Sequence, residues 1–149
     1  MRSGTTRMGF PFDGHRHSAI VAIYRRELEA ETFARLIVED DQPCISVATV
    51  VEVSIILRSA KVAHFSIAET WLNNFLATTR LQTYPVTAED AALAREAHIR
   101  FGKGTGHPAQ LNFGDCFAYA LAKRLNVPLL FKGSDFSKTD IATALPYNT

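Results

Sequence analysis

Apolar positions recur at helical intervals through residues 18–40, where Leu28, Phe33, Leu36 and Ile37 alternate with Glu and Arg. That spacing predicts a mostly helical segment. Pro43-Cys44-Ile45-Ser46 reads as a short strand. The next run, Val47 to Leu57, is locally ambiguous. Its Val/Ile content favours a strand, whereas its length and the apolar Val50, Val53, Ile56 and Leu57 suit a helix packed on a sheet. Ser66-Ile67-Ala68-Glu69 has the form of a capping box, and Ile67, Trp71, Leu72, Phe75 and Leu76 then make one apolar helical stripe. Leu81 to Val86 reads as a strand, and Thr87-Ala88-Glu89-Asp90 opens a helix that Gly102 stops. Asn112 is placed to cap a helix running through Phe117, Leu121 and Leu125, before Val127-Pro128-Leu129-Leu130-Phe131 returns as a buried strand.

Strand and helix alternate, which predicts an α/β fold with a parallel sheet covered by helices. The 149 residues suit one domain with a real core. Residues 1–9 read as a loose lead-in and 10–149 as the domain. A hydrophobic content of 47% with 21% charged residues fits a globular chain rather than a disordered one. No apolar run approaches the ~20 residues of a membrane-spanning helix. MRSGTTRMGF lacks the apolar stretch of a secretory signal, so a cytoplasmic location is expected. Cys44 and Cys116 make no metal-finger spacing and read as reduced, small buried hydrophobes. Sixteen Lys+Arg against 15 Asp+Glu leave no global basic excess, so any nucleic-acid contact must use a local patch.

Parallel sheets bind ligands outside the carboxyl ends of their strands, which directs attention to polar residues just after strands. Asp13 follows Phe10-Pro11-Phe12, and Asp135 follows the last strand through Lys132-Gly133-Ser134. Asp115 lies in the first turn of the preceding helix, and Glu52 is an acid in an otherwise apolar run. Each has a plain alternative. Glu52 would sit on a solvent-facing stripe with Thr49 and Arg58; Asp115 would complement a helix dipole; Asp135 and Asp140 would be turn residues. Gly114 beside Asp115 is a poor helix residue unless something approaches the backbone closely. Carboxylates gathered at one strand edge repel unless they are protonated or bridged by a cation. Oxygen-only ligands suit Mg²⁺ or Mn²⁺ and the hydrolysis of a phosphodiester.

Ser18-Ala19-Ile20-Val21-Ala22-Ile23, Ile45 to Glu52, Leu111 to Ala122 and Pro128 to Phe136 resemble a PIN-domain ribonuclease, most like the VapC toxins of bacterial toxin–antitoxin pairs. The resemblance runs from about Phe10 onward and is most specific around Asp115. It implies a five-stranded parallel sheet, a Mg²⁺ or Mn²⁺ site of acids, cleavage of structured RNA with tRNA a candidate, and a cognate antitoxin. By position, Glu52, Asp115 and Asp135 match the second, third and fourth family acids, with Asp140 an auxiliary.

The first acid departs from the pattern. The family places it two residues before the Ser-Ala of the first helix, and here that position is Arg16. Either the loop bulges and Asp13 serves as catalytic and metal-binding acid, or Arg16 has replaced the first ligand. Gly14 permits the tight turn that a bulge needs, which favours Asp13. If the ligand is lost, the chain becomes an impaired PIN fold that binds antitoxin or RNA. A metal phosphatase or flap-type DNA nuclease would use the same carboxylate logic.

Other signals are weaker. His15-x-His17 lacks a third zinc ligand, and Gly102-Lys103-Gly104-Thr105-Gly106 lacks the order of a phosphate loop. Lys103, His107 and Arg100, and separately Arg58, Lys61 and His64, are candidates for an RNA backbone or ordinary solvated charge. Ser18 reads as a cap. Trp71, Phe75, Phe113 and Phe117 read as core or dimer surface rather than base-stacking platforms, and the crowding of Ile55, Ile56, Trp71, Phe75 and Leu76 predicts a homodimer.

Overall fold

The computed structural model describes residues 10–12, 18–59 and 64–144. Asp13, His15, Arg16, His17 and Lys61 lie outside these residues. The elements run α1 (Ala19–Tyr24), α2 (Ala30–Glu39), β1 (Cys44–Ser46), α3 (Val47–Ser59), α4 (Phe65–Thr78), β2 (Gln82–Tyr84), α5 (Ala88–Phe101) and α6 (Phe113–Leu125), then a 3₁₀ turn over Phe136–Lys138.

The helix expected over 18–40 is two helices. A single rod of that length would span about 34 Å, yet the first part is needed in the core and the second on the surface. Ser18 caps α1, its hydroxyl accepting from Val21 N at 3.2 Å, and Ala19 to Ala22 are fully buried. The chain then turns at Arg26 with φ 53°. Lys132 pins the turn through ion pairs with Glu27 and Glu29. Leu28 falls in this turn and is exposed rather than on the apolar stripe. In α2 only Phe33 and Ile37 are buried.

Val47–Ser59 resolves as a helix, with Thr49, Val53 and Leu57 buried one turn apart. The expected capping box at Ser66–Glu69 does not form. His64 caps α4 instead, its Nδ1 accepting from Ser66 N at 3.3 Å. Glu69 is drawn across to α3, where it accepts from the Ser54 hydroxyl and pairs with Arg58. Trp71 lies edge-on to Tyr24 and stacks on Phe75, packed against the core.

The fold is α/β with parallel pairing. β1 and β2 pair in the register Cys44–Gln82, Ile45–Thr83 and Ser46–Tyr84. Phe12–Leu130, Gly102–Leu111 and Leu129–Thr143 add isolated parallel bridges. The described residues thus hold two strands and these bridge pairs rather than five strands. Pro11 and Pro128 flank the bridges at Phe12 and Leu129, and a proline has no N–H to extend a ladder. β2 is correspondingly shorter than the Leu81–Val86 run. Two apolar clusters fill the interior. One lies under α1 to α4 around Ile20, Phe33, Ile45 and Val53; the other lies around α5 and α6 with Ala97, Leu111, Leu129 and Phe131. Among the described residues no helix is long and apolar enough to cross a membrane.

Candidate functional site

α3 packs on α6, and the two helices bring Glu52 and Asp115 together. Asp115 is held by its own helix start. Asn112 Oδ1 accepts from Asp115 N at 2.9 Å, and Asp115 Oδ2 accepts from Asn112 N at 2.9 Å. This reciprocal box satisfies two of the amides that a helix leaves open at its N-terminus. It also fixes the carboxylate in a site where Asp115 is only 2% exposed.

Glu52 reaches α6 at Gly114. A Cβ on that residue would overlap the Glu52 carboxylate, closer than any real Cβ contact. The glycine is therefore what lets the second acid approach the first. The solvent-stripe alternative for Glu52 fails. Thr49 is fully buried, Glu52 is half-buried against Gly114, and the exposed positions of α3 are Val47, Val51, Ile55, Arg58 and Ser59. α3 thus turns Val47, Val51 and Ile55 outward and its acid toward α6.

Burial, and then the negative charge of Asp115, push the Glu52 carboxyl up to about 7. Glu52 Oε1 and Thr49 Oγ1 are buried oxygens without a hydrogen-bond partner among the described residues. Such groups are costly unless a proton, water or cation engages them. Two facing acids supply hard-oxygen donors of the kind that fit a divalent cation. Cys116 next door is no nucleophile. Burial and Asp115 push its thiol up to about 11, and it donates to Asn112 O at 3.3 Å.

The other candidates are placed differently. Asp135 is exposed at the start of the 3₁₀ turn, with no side-chain cap bond, and shares a polar cleft with Asn112, Gln110, Lys103 and Lys138. Among the described residues no three His, Cys, Asp or Glu side chains converge into a ready-made ion cage. Asp140 is not a spare acid. Its carboxylate accepts from the Tyr119 hydroxyl at 2.7 Å and pairs with Lys123 at 2.7 Å and Arg100 at 3.5 Å. Burial alone would raise its pKa, but these partners hold it below the usual carboxylate value. Arg100 is thereby paired, although its side chain stays part-exposed.

His107 is structural, its Nδ1 accepting from Ala109 N at 3.0 Å. His64 is a cap and Arg58 is paired.

The family model for the PIN domain matches residues 17–142. The chain belongs to the PIN-domain family. Among relatives of this PIN domain, ribonuclease VapC28 of Mycobacterium tuberculosis is 42% identical over 128 residues, covering 86% of this chain and 94% of that one. Ribonuclease VapC30 of the same species is 41% identical over 130 residues, covering 87% and 96%. The crystal structure of M. tuberculosis VapC20, described as a sarcin–ricin loop cleaving toxin, superposes with a TM-score of 0.69 at 16% identity, over 93% of this chain and 99% of that one. At that identity the match speaks for the fold.

Proposed function

We propose that this PIN domain, spanning 10–149, is a Mg²⁺- or Mn²⁺-dependent endoribonuclease, the toxin of a toxin–antitoxin pair, acting on structured RNA in the cytoplasm. The observation that carries the reading is the Glu52 carboxylate seated on Gly114 beside Asp115. Relatives named VapC ribonucleases, matched over nearly their full length, support it, and tRNA is the first substrate to try. A cognate antitoxin and a second copy of the chain are the expected protein partners. In this reading the bridges at Phe12, Leu130 and Thr143 belong to strands that complete a five-stranded sheet.

Glu52 and Asp115 would hold the ion, with Asp135 and Asp13 completing the catalytic set. When bound, the ion supplies charge neutralisation at the phosphate and lowers the pKa of water. The chain's own residues do the rest. The Asn112 box keeps Asp115 from rotating away. Gly114 leaves the space Glu52 needs. Glu52, with a pKa near neutrality, gives up its proton as a cation or substrate site forms. Lys103 and Lys138, which make no ion pair among the described residues, line the cleft beside Asn112 and suit the phosphates of an RNA strand.

The test is incubation of a mixed RNA pool with the protein in Mn²⁺ and in EDTA, alongside Asp115→Asn. Discrete cleavage in Mn²⁺, lost in EDTA and in the variant, is expected. Asp115→Asn cleaving as fast as the parent would remove Asp115 from the mechanism. RNA binding without cleavage by the parent would turn the assignment to an RNA-binding protein.

A further inference from the structure

α5 and α6 leave between them a groove of about 510 Å³, lined by Ile99, Phe113, Cys116 and Phe117, with Arg95 and His98 as its polar members. Phe113 belongs to the first turn of α6, immediately before Gly114 and Asp115. It is 79% exposed, and Ile99 is 72% exposed. An aromatic ring left this open next to a buried acid is not core, the first of the two readings of the sequence. Nor is it loose. Phe117 holds it edge-to-face, with ring centroids 5.0 Å apart and planes at 76°.

We propose that this groove takes one unpaired nucleobase of the RNA, stacked on Phe113, beside the phosphodiester presented to Glu52 and Asp115. The inference rests on the ribonuclease reading above and names part of its substrate site. Asn112 and Phe113, consecutive residues, face the lysine-lined polar cleft and the apolar groove respectively. A strand crossing the start of α6 thus meets cations on one side and an aromatic surface on the other. Base–aromatic stacking with a cation near the backbone is the general way proteins hold single-stranded nucleic acid. Arg95, with no ion pair among the described residues, is a cation at the groove of the kind that meets a phosphate or the face of a base. A self-association face is a poorer fit. A second copy seated there would have to bury Arg95, which makes no ion pair among the described residues.

The experiment uses an oligonucleotide cut from the RNA pool, with the nucleotides flanking the cleaved bond replaced one at a time by abasic residues. For the parent, one abasic position should raise KM about tenfold, the lower range for loss of one stacked base. Phe113→Ala should raise KM by a similar factor on the intact oligonucleotide and show no further loss at that abasic position. Phe113→Trp should restore the parent KM. Because Phe113 is exposed, thermal midpoints of all three proteins should agree.

Additive effects of Phe113→Ala and the abasic residue, or Phe113→Ala with parent KM, would overturn the base site while leaving the nuclease assignment standing. So would a KM loss that follows a change in light-scattering mass, which would mark a protein interface. No cleavage of any RNA by the parent would remove the nuclease reading and the base site together.

Discussion

The Glu52 carboxylate occupies the space that a side chain on residue 114 would fill, so an acid of α3 and a glycine of α6 are one structural unit. In Gly114→Ala, the flexible end of Glu52 must swing away. Alanine's better helix propensity, about 1 kcal/mol, and the relief of repulsion from Asp115 offset the lost fit. The variant should melt within a few degrees of the parent while Mn²⁺ affinity falls at least tenfold. A calorimetric titration showing parental affinity would refute this.

The pH dependence of stability follows from Glu52. Its carboxyl rises from 4.5 to about 7 in the folded chain, so between those values the native state holds a proton the unfolded chain has released. The stabilisation is complete below about pH 4.5, declines as pH climbs to about 7, and is absent above. Glu52→Gln should flatten that segment of the urea-midpoint profile. At pH 8 it should exceed the parent by an amount of order 2 kcal/mol.

A second acid is purely structural. Asp90 is bound by Arg124 through two bonds of 2.5 and 3.1 Å, and its side chain is 5% exposed. Burial would raise its pKa, but the Arg124 and Thr87 bonds outweigh that and hold it low. Its contribution is therefore present at neutral pH and lost as pH falls below the ordinary Asp range. Asp90→Ala strands the arginine and should cost about 3 kcal/mol, read by denaturant unfolding, with Mn²⁺ affinity unchanged.

The exposed stripe Val47, Val51 and Ile55 on α3 argues for a covered face. Light scattering at tens of micromolar should give a dimer mass, and Ile55→Glu should give a monomer. A strictly monomeric parent would contradict this.

The first acid is tested by exchange. If Asp13 is a ligand, Asp13→Ala should weaken Mn²⁺ binding and Arg16→Asp should leave it nearly unchanged. Markedly tighter binding by Arg16→Asp would mean that Arg16 holds the ligand's place and repels the ion by Coulomb's law.

Local chemistry was legible in the sequence at three of the helix starts, where a residue's partner lies within one turn and no distant group competes for it. Ser18, Thr87 and Asn112 cap the helices they precede, and Gly102 ends α5, because caps depend on backbone amides three residues away. The alternation of apolar runs likewise determined an α/β chain with parallel pairing. Tertiary structure decided whatever required a distant partner. Val47–Ser59 became a helix because it packs on α6 and α4, not because its β-branched residues prefer one. Glu69 left the expected box for Ser54 and Arg58, and Asp140 was taken by Tyr119 and Lys123. Sequence could mark Glu52 as an acid out of place and Gly114 as a glycine needing a reason. Only the crossing of α3 over α6 made each the reason for the other, since the energy of a buried carboxylate depends on neighbours that chain order does not reveal.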